Sequence, residues 1–150
     1  MKRVMVFGVF DLLHPGHVNF LKQAKKLGDF LIVSIARDIN VKKTKKFLPL
    51  QNEKIRFKAI KKLSFVNKAV LGGKRSPWRH IKKEKPDIIA LGYDQKNYVK
   101  KAEVRSKKKE EELKIELQKH NINARVIRLK AFNPKKFKSS IIRKKHGKAL

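Results

Sequence analysis

The 150-residue chain contains no cysteine. That excludes a disulfide framework, so nothing in the composition points to secretion, and it removes the usual thiolate ligands of a zinc site. Acidic residues are scarce as well: 12 Asp and Glu stand against 41 Lys and Arg, for a net charge of +29. No apolar run approaches the roughly 20 residues that span a bilayer. The longest, near Phe30, falls far short of it. Met1-Lys2-Arg3 leads straight into an apolar segment with no signal-peptide core, so a cytoplasmic protein with no membrane partner is expected. With 41% hydrophobic and 35% charged residues, the chain reads as globular, one domain over residues 1–150.

The excess of positive charge suits phosphate-bearing ligands. Lysine is spread over every segment rather than gathered into a stripe or tail. A dedicated nucleic-acid surface is therefore not expected, whereas small anionic substrates gain from the field.

The most informative stretch is Gly8-Val9-Phe10-Asp11-Leu12-Leu13-His14-Pro15-Gly16-His17. It follows the apolar run Val4–Phe7 and precedes Phe20, Leu21, Ala24 and Leu27, which share one helical face. This predicts a turn between a buried strand and a helix starting near His17, the place where open parallel sheets bind ligands. Pro15 restricts itself and biases His14 to an extended backbone, and Gly16 tolerates positive φ. Free amides at a helix start attract anions. Imidazoles at positions 14 and 17 are spaced to donate to the same phosphate oxygens. Metal ligation by these histidines is disfavoured, since no third ligand follows at the usual spacing.

Further along, Phe30–Ala36 is near-continuously apolar, as in a strand covered on both faces. Strand, helix and strand make a right-handed βαβ unit. A lysine-heavy stretch with Lys42, Lys43, Lys45 and Lys46 reads as a solvated loop or a lid over phosphates. Asn52 suits an N-cap, with Ile55, Ala59, Ile60 and Leu63 as the buried face of the helix it starts. Val66–Leu71 and Ile88–Leu91 are two more strands, with Pro77 opening a helix between them. Gly92-Tyr93-Asp94-Gln95 ends the fourth strand. A charged helix lies within Tyr98–His120, Asn121 is a left-handed stop, and Ala124–Leu129 alternates like an edge strand. Ser139 and Ser140 precede Ile141-Ile142-Arg143 as a helix start, a further anion site. The expected architecture is α/β: a Rossmann-like, doubly wound, five-stranded parallel sheet.

Gly8 to His17 resembles the GTFDxxHxGH motif of the nucleotidyltransferases that carry an HxGH element. These include cytidylyltransferases for glycerol 3-phosphate and phosphocholine, phosphopantetheine adenylyltransferase and archaeal-type FAD synthetases. Val9 is the one departure, where the family has Thr; a hydroxyl is lost and the backbone N–H remains. The resemblance implies nucleotide contacts from Val9, Phe10, Asp11, His14, Pro15, Gly16 and His17. It implies catalysis by His14, His17 and Lys43, with Lys46 on the triphosphate. Arg56 matches the arginine of an E-x-x-R element that reads substrate phosphate. Gly92 and Asp94 match a G-x-D turn, and Phe132 would lie against the base or against the sheet alone. Ser139, Ser140 and Arg143 resemble an ISTS-type phosphate motif, although Asn133-Pro134-Lys135-Lys136 replaces the usual R-T-E-G before it.

No residue is arranged as an activated nucleophile, and none is needed if the acceptor is already a phosphate monoester. The implied reaction is in-line attack of that phosphate on the α-phosphorus of a nucleoside triphosphate, with pyrophosphate leaving. A divalent metal, Mg2+ by family, accompanies the triphosphate, and Asp11 or Asp94 would orient the histidines or the metal. Gln95 and the long stretch from Lys96 to His120 favour the FAD synthetase, with ATP and FMN as substrates. CTP with glycerol 3-phosphate or another phospho-alcohol is the alternative. A homodimer is the family expectation.

Overall fold

The structure, a computed structural model, describes residues 1–45, 47–73, 77–92 and 103–129, the side chains of 44–45 and 103–109 excepted. In chain order the elements are β1 (Arg3–Gly8), α1 (Pro15–Lys25), β2 (Phe30–Ile35), α2 (Asp38–Lys45) and α3 (Glu53–Lys61). There follow β3 (Lys68–Leu71), α4 (Pro77–Glu84), β4 (Ile88–Leu91), α5 (Glu103–Lys119) and β5 (Arg125–Arg128). The strands form one sheet in the order β3-β2-β1-β4-β5. Every pairing is parallel. The expected doubly wound, five-stranded α/β architecture is what the chain adopts.

Strand alternation splits the core into two layers. Val4, Val6, Leu31, Val33, Ile35, Ile88 and Ala90 face α1 and α3, meeting Leu21, Ala24 and Ile60. Met5, Ile32, Ile89 and Leu91 face the other way, against Ile81 of α4 and Leu117 of α5. Both faces of the sheet are thus covered, which explains why β2 and β4 lack polar alternation. β5 is an edge strand, and Asn121 before it is left-handed at φ 57°.

Two elements differ from the sequence reading. The lysine-heavy stretch is helical rather than a loop: Asp38–Lys45 forms α2, with Val41 buried beneath it. On α3 the inward face carries Arg56 and Ile60, while Ile55 points to solvent. A buried arginine joins Ile60 in anchoring that helix, and Ile55 does not.

The scarce carboxylates hold the sheet's amino-terminal edge. Asp29 accepts from the Lys2 amide and Asp87 from the Arg3 amide, both at 2.8 Å. Buried Glu84 faces the Lys68 ammonium at 2.7 Å and the Arg3 guanidinium at 3.8 Å. The opposite edge, where the carboxyl ends of β1 and β4 lie side by side, is the topological switch point. Among the described residues no helix is long and apolar enough to cross a membrane.

Candidate active site

The turn after β1 sits at that switch point, and two histidines build its end. His14 is the N-cap of α1, extended at φ −136° and ψ 171°, as the following proline demands. Its Nδ1 accepts from the amides of Gly16 at 3.1 Å and His17 at 3.4 Å. In return the His14 amide donates to Nδ1 of His17 at 3.3 Å. This is a capping box in which imidazoles replace the usual hydroxyl and carboxylate. The rings stack, with centroids 3.7 Å apart and planes 23° from parallel.

A nitrogen that accepts from an amide carries no proton. In each neutral ring the proton therefore resides on Nε2, which leaves both histidines as Nε2–H donors. Burial, and then the neighbouring His14, pull the His17 imidazole from the usual 6.5 down to about 3. His17 stays neutral at physiological pH, suited to donating a hydrogen bond rather than carrying a charge.

The capping box corrects one expectation about the helix start. The amides of Gly16 and His17 turn to the His14 ring, and the Val18 amide bonds the His14 carbonyl at 3.2 Å. The N–H groups that this cap leaves unengaged by Nδ1 are not the backbone amides of Gly16 and His17. Gly16 does not use positive φ either: no described glycine does, and Gly16 lies inside α1. The left-handed residues are Phe10 and Leu12, both at φ 54°.

Phe10 shows why Gly8 is glycine. The twist at Phe10 lays its ring over Gly8, where an added Cβ would lie 2.7 Å from the ring carbons. That ring meets His17 edge-on at 5.6 Å and stacks on Phe20 at 6.4 Å. Phe20 in turn covers Gly92 at the end of β4. The Phe10 side chain is therefore core, buried beneath the turn, which leaves only its backbone for the nucleotide contact the resemblance implied.

Asp11 and Arg56 also depart from expectation. Asp11 is 2% exposed, and its carboxylate accepts from the amides of Leu50 and Gln51 at 2.8 and 2.9 Å. Its described bonds bind the turn to the segment before α3. Arg56 is 0% exposed. It donates to the carbonyls of Val9 and Ala36 at 2.8 Å and of Gln51 at 3.0 Å, and pairs with Asp38 at 2.6 Å. Glu53, three residues before it, faces Arg37 at 3.5 Å. A guanidinium so enclosed has no face for substrate phosphate.

Val9, His14, Pro15, Gly16 and His17 are brought together at the start of α1, with Gly92 at the neighbouring strand end. Lys43 is exposed on α2. Lys46, Asp94, Phe132, Ser139, Ser140 and Arg143 lie outside the described residues. An open groove of about 520 Å³ flanks the His14 ring, lined by Leu13, Pro15, Val18, Asn19 and Lys22. Sequence reasoning missed Gln51 and Asp38. It also missed Ser34 on β2, buried and bonded to His80 at 2.8 Å. Nothing in the spacing of these residues signals their partners.

Two stacked, mutually capped histidines thus stand at the switch point of a parallel sheet, where such folds bind ligands. The whole-chain comparison agrees: residues 5–145 match the cytidylyltransferase-like family, to which this chain belongs. A relative from Ferroglobus placidus, named FAD synthase, is 44% identical over 131 residues, covering 87% of this chain and 78% of its own. Another FAD synthase, from Thermoplasma acidophilum, is 38% identical over 97% of this chain and 94% of its own. A crystal structure from Thermoplasma volcanium, titled a lipopolysaccharide core biosynthesis protein, superposes with a TM-score of 0.76 at 38% identity. The match covers 89% of this chain and 99% of that one. A Thermotoga maritima structure, TmcAL bound to α-thio ATP, shares the fold at TM-score 0.61 and 14% identity, over 99% of this chain and 51% of its own.

Proposed function

We propose that this chain is an FMN adenylyltransferase, an FAD synthetase of the archaeal type acting in the cytoplasm as a single nucleotidyltransferase domain. The FMN phosphate attacks the α-phosphorus of ATP in line; the bond to the β-phosphate oxygen breaks, and pyrophosphate leaves. The relatives named FAD synthase, matched over most of their length, support the choice of substrates. The observation that carries the chemistry is the stacked, mutually capped pair His14 and His17. Its Nε2–H donors suit oxygens of the transferring phosphoryl and its leaving group, where negative charge grows in the transition state. Because FMN brings its own nucleophile, the protein's work is positioning and charge stabilisation.

Lys43 and Lys46 are proposed to meet the triphosphate, together with Ser139, Ser140 and Arg143, and Asp94 to contact the nucleotide. Their support is the sequence motif. Among the described residues no group of three carboxylates and histidines could hold a metal ion. A divalent cation, proposed as Mg2+ from the family resemblance, would accompany the triphosphate. It would neutralise the charge of the leaving pyrophosphate. A homodimer draws support from Ile39, Phe47, Leu48, Leu50 and Ile55, large exposed apolar residues on one short stretch; sedimentation reads it out.

The test is pyrophosphate release with ATP or CTP, each crossed against FMN and glycerol 3-phosphate. ATP with FMN is expected to dominate. Turnover only with CTP and glycerol 3-phosphate would replace this reading with the phospho-alcohol one.

A further inference from the structure

The turn that carries the histidines is strained and is held from outside. Phe10 and Leu12 are both left-handed without being glycine. Such backbone persists only where its surroundings impose it. Here the imposing groups come from residues 50–56. Arg56 Nη1 donates to the Val9 carbonyl at 2.8 Å. The Leu50 and Gln51 amides donate to the two Asp11 oxygens. The Leu12 amide donates to Gln51 Oε1 at 3.2 Å. Val9, Asp11 and Leu12 are thus each tied to a segment some 40 residues away. That segment is itself fixed, since Arg56 Nε holds the Gln51 carbonyl and Nη2 holds Asp38.

We propose that Gln51, Asp11 and Arg56 are positioning residues: together they clasp the Val9–Leu12 turn and so set the direction in which His14 and His17 present their Nε2–H groups. None of the three needs to touch substrate. Gln51 is the informative member. It is only half-buried, and its side chain supplies a single acceptor to the turn, so it can be altered without opening the core. Gln51→Leu removes that acceptor at similar volume, and Gln51→Glu keeps it.

The consequence for rate rests on the transferase reading; the bond itself does not. Two measurements on the full chain separate them: amide hydrogen exchange at Leu12, and the kinetics of FAD formation. In Gln51→Leu the Leu12 amide is expected to exchange about tenfold faster, the effect of losing one ordinary hydrogen bond. Turnover should fall about tenfold through misalignment, with KM for ATP within about twofold. Thermal stability should stay within about 3 °C of the unaltered chain. Gln51→Glu should restore both exchange and kcat. Unchanged exchange and kcat in Gln51→Leu overturn the clasp, as does a loss of kcat that Gln51→Glu shares in full. If the unaltered chain forms no FAD, the transferase reading fails, and Leu12 exchange alone still decides whether Gln51 holds the turn.

Discussion

His14 and His17 each do two jobs with one ring. Nδ1 satisfies helix or turn amides, and Nε2–H is the donor the proposed mechanism assigns to a phosphate oxygen. His17→Ala is expected to leave the far-ultraviolet spectrum intact and lower turnover at least about a hundredfold, the usual cost of one transition-state donor. Near-normal turnover in that variant would remove the imidazole from the mechanism. His14→Ala loses the N-cap as well, so calorimetry should also show about 1 kcal/mol of lost stability.

The depressed His17 pKa makes a separate prediction at the same scale. Between about 6.5 and about 3 the folded ring binds fewer protons than the unfolded one, so stability falls as pH falls through that window. His80 is shifted in the same direction, chiefly by burial, and adds to the slope. Thermal unfolding from neutral to mildly acid pH should show the decline, and His17→Gln should flatten it. Turnover, by contrast, should show no acid limb near 6.5 from His17, because that ring is already neutral there.

At the scale of elements, α3 carries the most weight per residue. Replacing Arg56 by Ala leaves the Val9, Ala36 and Gln51 carbonyls without their donor and Asp38 without its partner. A loss of about 3–5 kcal/mol is expected, typical of breaking a buried pair. The melting temperature should then drop by roughly 10 °C, and no change would mean the guanidinium network is dispensable. The turn before α1 depends on Gly8 in a comparable way: Gly8→Ala must displace the Phe10 ring.

Much of this was legible in the sequence, and the failures share a cause. Asn52 as N-cap is borne out, its side chain accepting from the Ile55 amide at 2.9 Å, because capping is local. The strands of the sheet and the His14–Pro15 entry to α1 are local too. On α3 the expected Ile60 and Leu63 do face the core, while apolar periodicity counts exposed Ile55 and ignores Arg56, whose partners lie as far as 47 residues away. The α2 helix was hidden for a related reason. Its lysines argue for solvent, yet the Asp38 and Glu53 carboxylates reciprocally accept each other's backbone amides, at 3.0 and 3.1 Å, and fix its start. Left-handed Phe10 and Leu12 follow from the same long-range bonds, and no residue preference announces them.

For the whole molecule the net charge of +29 is the dominant fact. Twelve carboxylates cannot neutralise 41 cations, so the folded state repels itself. Raising salt from about 0.05 to about 1 M shortens the screening length from about 14 Å to about 3 Å. The melting temperature is expected to rise over that range; a flat or falling curve would show that repulsion is not limiting. The same field draws ATP and FMN toward the protein, and salt should therefore weaken KM while it strengthens the fold.

The histidine pair can be observed without any assay. Nitrogen-15 spectra of the imidazoles, recorded from pH 8 to about 5 with a non-hydrolysable ATP analogue bound, report which nitrogen holds the proton. Both rings should show protonated Nε2 and bare Nδ1, with His17 unchanged across the range and its Nε2 signal moving when the analogue binds. A His17 ring that titrates near 6.5, or that carries its proton on Nδ1, would contradict the mutual cap and the donor role built on it.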